Sequence, residues 1–201
     1  MKITLKDGSV KEYSEARSII DIAKDISEGL ARVACAGEIN GEMADLRTVI
    51  GEDCELNIIT ATDSKALHVI RHTASHVLAE AVKRLFPEAK VTIGPAIDDG
   101  FYYDFDADPF SREDLDRIEA EMKKIVKAGH EITRFTLPRA EAVRLMEEKG
   151  EPFKVELIQD LPEDAEISFY DQGGFVDLCA GPHLMSTKGV KAFKLTSSSM
   201  A

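Results

Sequence analysis

No glycine or proline interrupts the sequence from Lys65 to Phe86, and that stretch constrains the chain more than any other. It is long enough for a helix of about six turns. On a wheel at ~100° per residue, Leu67, Ile70, Ala74, Val77, Leu78, Ala81 and Leu85 gather into one stripe that should face a core. His72 and His76, at i and i+4, project together from roughly the opposite side, near Ala79 and Lys83. They read as an outward-facing pair, not as core histidines. His68 extends the row by a turn, but its angle drifts to the flank, and it reads as a bystander.

A second pair with the same spacing lies far along the chain, in Cys179-Ala180-Gly181-Pro182-His183. Gly181 and Pro182 sit between its members, so this segment reads as a turn after a hairpin. Three imidazoles and a thiol suit proton transfer, nucleophilic attack or metal ligation. As a closed tetrahedral set they would make a structural zinc site; with one position open, a hydrolytic one. Without metal, the same groups can position and deprotonate a water, with Lys154 or Asp177 supplying charge. A Cys-His nucleophilic pair is the weakest option, because no helix start near Cys179 would lower its thiol pKa. Residue types alone do not choose between metal and metal-free chemistry.

The rest of the chain divides at a polar break, Ala61-Thr62-Asp63-Ser64, giving expected domains 1–62 and 63–201. In the first, residues 2–6 and 9–13 read as a hairpin across Lys6-Asp7-Gly8-Ser9. A helix is predicted from Ser18 to a stop at Gly29, with Ile19, Ile22, Ala23 and Ile26 at helical spacing. Strands follow near Arg32–Ala36 and Glu55–Thr60, with an Asn40-Gly41 turn between them. This order predicts a small sheet packed on one helix, a ubiquitin-like β-grasp arrangement, with Cys35 and Cys54 as buried apolar fillers.

In the second domain, Val91–Ala96 reads as a strand turning through Asp98-Asp99-Gly100 into Phe101–Asp106. Alternation there puts Phe101 and Tyr103 on one face and Tyr102 and Asp104 on the other, without saying which is inside. Ser111-Arg112-Glu113-Asp114 starts a helix that Gly129 ends. A strand at Ile132–Leu137, a helix opened by Pro138 and closed near Gly150, and a short helix after Glu151-Pro152 follow. That short helix carries Lys154, by itself an ordinary surface lysine. Ile167–Tyr170 and Gly174–Leu178 form a hairpin that delivers Asp177 and Cys179 to its end. A last strand is expected at Val190–Leu195, and Ser197–Ala201 reads as a linker or truncation point. The fold class is therefore α+β: a β-grasp domain, then a mixed or antiparallel sheet packed by helices.

Charge narrows the function. The chain carries −12 overall, the wrong sign for a module that grips nucleic acid by its phosphates. Neither part is basic: residues 1–62 hold 7 basic and 12 acidic side chains, the remainder 18 and 25. No apolar run approaches the ~20 residues of a bilayer span, and the alternating Met1–Gly8 reads as a strand, not a signal peptide. Three scattered cysteines form no disulfide framework and favour a reducing cytoplasm. There is no G-x-x-x-x-G-K-[ST] and no G-x-G-x-x-G, so no nucleotide-activating motif is visible.

Residues 63–201 resemble the editing domain of the threonyl-tRNA synthetase family, which is related to alanyl-tRNA editing proteins. The resemblance is carried by Arg71-His72-Thr73-Ala74-Ser75-His76, by Ile93–Asp104 (Ile93-Gly94-Pro95-Ala96 through Gly100-Phe101-Tyr102-Tyr103-Asp104), by Glu151-Pro152-Phe153-Lys154 and by Asp177–His183. Residues 1–62 resemble the β-grasp (TGS-type) domain that precedes it in the bacterial form. The resemblance implies hydrolysis of the ester joining serine to the terminal ribose of threonine tRNA. His72 and Lys154 would position and activate the water, His76, Cys179 and His183 would line the pocket, and Tyr103 and Asp177 would hold the seryl group or ribose. It implies no metal for editing; related alanyl-tRNA editors hold zinc with such a set, here His72, His76, Cys179 and His183. The implied partners are the serine-carrying acceptor end and the rest of a full-length synthetase, with no membrane and no DNA. The family's ATP-binding, zinc-binding catalytic domain is not in this sequence, so the chain reads as an N-terminal fragment that does not activate threonine. A structural zinc module, or a free-standing deacylase of the alanyl-editing type, is the alternative; the β-grasp domain counts against the second.

Overall fold

The computed structural model describes residues 1–199; of the predicted linker Ser197–Ala201, Met200 and Ala201 lie outside them. The chain forms two compact units, Met1–Ile70 with Gly181–Met185, and Arg71–Ala180 with the segment from Ser186 onward.

The first unit runs β1 (Lys2–Leu5), β2 (Val10–Glu12), β3 (Arg17–Ser18), α1 (Ile19–Ile26), α2 (Glu28–Val33), β4 (Ala34–Ile39), β5 (Glu42–Ala44), β6 (Val49–Ile50) and β7 (Cys54–Thr60). Its sheet has the order β2-β1-β7-β4-β5, with β1 and β7 parallel and the other neighbours antiparallel. Asn40 and Gly41 join β4 to β5 with φ of 49° and 91°, as a two-residue hairpin turn requires. Ile19 and Ile22 of α1 pack with Ile3, Leu46, Ile50 and Leu56 in the unit's apolar core. Burying each such side chain contributes roughly 1.5–3 kcal/mol. This is a β-grasp fold, and with the second unit the chain is α+β. Cys35 is buried, but Cys54 is only half so, which corrects its reading as a buried filler.

The predicted helix to Gly29 is in fact two. Ser27 closes α1, its N–H donating to Ala23 O, and its side chain accepts from Leu30 N–H to cap α2. A capping serine thus interrupts the helix, and Gly29 lies inside the second one. The strand expected from Arg32 starts two residues later, at Ala34.

The second unit contains α3 (Ala66–Leu85) from Arg71 onward, then β8 (Lys90–Val91), β9 (Ala96–Ile97), β10 (Gly100–Phe101), β11 (Phe105–Asp106), α4 (Arg112–Ala128), β12 (Ile132–Thr136), α5 (Arg139–Glu148), α6 (Pro152–Asp160), β13 (Ser168–Gln172) and β14 (Phe175–Leu178). The last three-stranded sheet is antiparallel, ordered β12-β13-β14. Ala142, Met146 and Ile158 of α5 and α6 pack with Ile167 and Phe169. α4 starts with the predicted capping box of Ser111 and Asp114 and ends at Gly129 in the left-handed region.

Three expectations fail here. α3 is not a two-faced helix along its middle: every side chain from Thr73 to Val82 is buried. A helix enclosed by neighbours all round has no wet side, so His76 is buried although the wheel placed it outward, and Leu67 is exposed although the wheel placed it inward. Second, the predicted strand Val91–Ala96 breaks up. Only its two ends form ladders, β8 with β11 and β9 with β10, and single bonds such as Asp104 N–H to Ile93 O (2.9 Å) bridge the middle. Third, Val190–Leu195 forms no strand. Glu119 of α4 holds that segment instead, accepting from Leu195 N–H (3.1 Å) and pairing with Lys194 (2.9 Å) and Lys123 (2.8 Å).

That tie should titrate. Hydrogen bonds from Lys123 and Lys194, against a smaller opposing effect of burial, hold the Glu119 carboxyl at about 2, below its ordinary 4.5. A depressed folded-state pKa stabilises above the ordinary value and loses that stabilisation as pH falls. Thermal unfolding should therefore come earlier as pH drops from about 4.5 toward 2, and Glu119→Gln should flatten the slope in that window. An unchanged slope in the variant would rule this contact out as its source.

Candidate active site

Three elements of the second unit bring their side chains together. α3 supplies His72 and His76 at one-turn spacing, with ring centroids 5.3 Å apart and planes nearly perpendicular. β14 and the residue after it supply Asp177 and Cys179. β13 and β14 set Tyr170 opposite Asp177, which puts both on one face. Cys179 remains tied to the sheet edge, its N–H donating to Ser168 O (3.0 Å) and its carbonyl accepting from Ser168 Oγ (2.6 Å). α6 supplies Lys154.

The centre is a buried ion pair. Lys154 Nζ lies 2.7 Å from Asp177 Oδ1, and Tyr103 OH donates to Asp177 Oδ2 at 2.6 Å. Lys154 is only 3% exposed and Asp177 1%, so the surface-lysine reading of Lys154 is wrong. Its exposure is decided by what precedes it. Glu151, buried just before α6, accepts Val91 N–H (2.9 Å) and pairs with Lys83 (2.8 Å), which sinks the first turn of α6 into the unit. Lys154 Nζ also lies 5.6 Å from the centre of the Tyr103 ring, within cation–π range.

His76 Nε2 is 3.6 Å from Asp177 Oδ2, longer than a hydrogen bond. Burial presses its pKa down to about 3; Asp177 opposes this, and the charges of His72 and Lys154 add to it. His76 is therefore a neutral imidazole at any physiological pH. Burial alone would raise the Asp177 carboxyl, but Lys154, His76 and the Lys154 and Tyr103 hydrogen bonds outweigh it and hold it below the usual range. Burial and the facing Asp177 carboxylate push the Tyr103 phenol well above 10, so it acts only as a donor. His72 is half-buried, its Nε2 3.3 Å from Cys179 Sγ.

The ligand atoms of His72, His76 and Cys179 all lie within 4.8 Å of one another. Two imidazoles and a thiol at that separation match zinc in type and approximate spacing. His183 belongs to the Gly181–Met185 segment of the first unit, where its side chain is 1% exposed. Two surface hollows of about 390 and 400 Å³ lie beside Thr136–Arg139 and beside Glu147–Glu156, and no member of the cluster lines either.

Some supporting residues gave no sequence signal. Ser75 Oγ sits 2.6 Å from Gly94 O and 2.8 Å from His72 O, tying α3 to the irregular hairpin. A Cβ at Gly94 would overlap the Tyr103 ring, so glycine there is what lets Tyr103 reach Asp177. Gln172 donates to Glu80 Oε2 (2.7 Å) and to His76 O (3.2 Å). Of these only Gly94 carried a local signal, a Gly-Pro step inside the predicted strand Val91–Ala96.

The TGS domain family matches residues 1–60, and the second additional domain of threonyl and alanyl tRNA synthetases matches residues 167–200. It is 62% identical to a threonine–tRNA ligase of Acetivibrio thermocellus over 98% of its own length. It is 59% identical to that of Clostridium perfringens over 100%, and 58% identical to that of Clostridioides difficile over 98%. The chain spans about a third (31%) of the length of these relatives, matching their N-terminal region. Among the described residues no helix is long and apolar enough to cross a membrane.

Proposed function

We propose that this chain is the editing region of a threonine–tRNA ligase and hydrolyses the ester that joins serine to threonine tRNA. The observation that carries the proposal is the buried Lys154–Asp177–Tyr103 group packed against His76, with the half-buried His72–Cys179 pair at its side. In this reading the ester carbonyl lies near Lys154. Water held by His72 attacks the carbonyl carbon, and His72 takes the proton. The ammonium of Lys154 stabilises the charge that develops on oxygen, in a site dry enough for that charge to count. The C–O bond to the ribose then breaks, the ribose oxygen regains a proton from His72, and serine leaves with the free tRNA end. Asp177 keeps Lys154 in place, and neutral His76 with Tyr103 closes the pocket. His183, four residues along the chain from Cys179, is assigned to the same pocket.

The need for such a site is physical. Serine lacks one methyl of threonine, and a missing methyl is worth only ~1–3 kcal/mol to a binding pocket. A second pocket that rejects the methyl sorts the two in the opposite sense. The acidic balance of the chain fits a piece that receives only an acceptor end, with other parts of the synthetase gripping the tRNA in the cytoplasm.

A zinc reading is favoured by one observation, the clustering of His72, His76 and Cys179. Zinc would be held by these residues with His183 as the proposed fourth, and would supply Lewis acidity to the same ester. Deacylation of seryl- and threonyl-tRNA, with and without a chelator, separates the two readings. We expect seryl-tRNA to be cleaved at least about tenfold faster than threonyl-tRNA, with the rate unchanged by chelation. Stoichiometric tightly held zinc without deacylation would establish a structural metal module in its place.

A further inference from the structure

The first turn of α6 is held by a carboxylate that does not serve its own helix. Glu151 stands just before Pro152, and its side chain makes no cap hydrogen bond to α6, the usual task of a side-chain oxygen at a helix start. It reaches away instead. Oε2 accepts Val91 N–H at 2.9 Å, and Oε1 lies 2.8 Å from Lys83 Nζ. Lys83, near the end of α3, also donates to Pro87 O (2.9 Å) and Ala89 O (2.8 Å). An ammonium has three N–H groups, and here they meet three acceptors. The pair thus ties the start of α6, the end of α3 and the segment leading into β8 to one point. Its side chains are 7% (Glu151) and 21% (Lys83) exposed. An ion pair so withdrawn from water is seldom the most stabilising way to hold backbone that an apolar contact could hold.

What the tie fixes lies one turn further on. Lys154 N–H donates to Glu151 O at 3.1 Å, so Lys154 takes its place in the helix from the anchored residue. Its Nζ then stands 2.7 Å from Asp177 Oδ1 and 5.6 Å from the centre of the Tyr103 ring. At the other end, Lys83 follows His76 by about two turns of the same helix. We propose that Glu151 and Lys83 are positioning residues for the ester hydrolysis: by locking the first turn of α6 to α3, they set where the Lys154 ammonium stands against Asp177. This rests on the editing reading given above. Both residues act through Lys154.

The test uses the full chain with Glu151→Ala, Glu151→Gln, Lys83→Met and Lys83→Arg. Seryl-tRNA deacylation kinetics are read on each, well below the lowest thermal midpoint, with that midpoint as the folding control. The ε-methylene NMR resonances of Lys154, assigned by their loss in Lys154→Arg, report its surroundings beside Tyr103 and Asp177. Misplacing a group by about an ångström can lower turnover about 100-fold. Glu151→Ala and Lys83→Met should therefore lower kcat by about 30- to 100-fold with KM within about threefold, and should move the Lys154 resonances. Lys83→Arg keeps a charged donor and should recover kcat to within about fivefold of the parent; Glu151→Gln, which keeps one acceptor oxygen, should fall between. If either severe variant fails to fold, Glu151→Gln set against Lys83→Arg carries the same comparison. Folded Glu151→Ala and Lys83→Met with kcat within about threefold of the parent would overturn the proposal. So would a fall in kcat with unmoved Lys154 resonances, because the loss would then arise elsewhere. A parent chain that leaves seryl-tRNA intact removes the editing reading, and the Lys154 resonances then decide alone whether the pair places that side chain.

Discussion

Lys154→Ala should abolish seryl-tRNA deacylation and weaken the fold at the same time. Removing the ammonium takes away the charge that faces the developing oxyanion, a contribution of about 100- to 1,000-fold in comparable sites. It also strands Asp177, which is 1% exposed, and breaking a buried pair by removing one member costs roughly 3–5 kcal/mol. The two effects can be parted. Lys154→Met fills much of the space but leaves the carboxylate uncompensated, whereas the double change Lys154→Met/Asp177→Leu removes both charges. The double variant should regain most of the stability and none of the turnover. A single variant that keeps turnover within about threefold would show that Lys154 has no part in the chemistry.

His72→Ala should give the opposite pattern, with turnover down by about 100- to 10,000-fold and stability little changed. His72 is half-buried, not sunk like His76. Its imidazole is therefore the one of the α3 pair that can meet substrate water. The check is kcat beside the thermal midpoint. A loss below about threefold, or a midpoint shift as large as that of Lys154→Ala, would dismiss the role assigned to His72.

Much of this site was legible from residue types and spacing, and the misses share a physical cause. His72, His76 and Cys179 could be named because imidazoles and thiols at helical or turn spacing have few routine uses, and the structure brings these three together. Lys154 could not be named from its own surroundings. A lysine in a short helix is normally wet, and nothing nearby in sequence reveals a carboxylate 23 positions away that draws it inside. The wheel failed at α3 for a related reason. It assumes one solvent side, while Thr73–Val82 is enclosed on all of them, and small residues such as Ala74, Ala79 and Ala81 serve that as well as an apolar stripe. In the first unit, hairpin and turn chemistry located β1, β2 and the Asn40-Gly41 corner, because those signals are local. The ends of α1 and β4 depended on Ser27, whose two capping bonds outweigh the glycine two residues later.

The irregular β8–β11 hairpin has a consequence for how such a pocket can change its tastes. Most of its wall is rigid, since α3 is walled in and β13–β14 form a continuous ladder. Thr92–Pro95 and Tyr102–Asp104 are linked by isolated backbone bonds instead, and Tyr103 stands on that border against Gly94. On the editing reading, retuning which aminoacyl group is admitted would have to change Tyr103 and Gly94 together, since the ring fills the space a side chain at Gly94 would need.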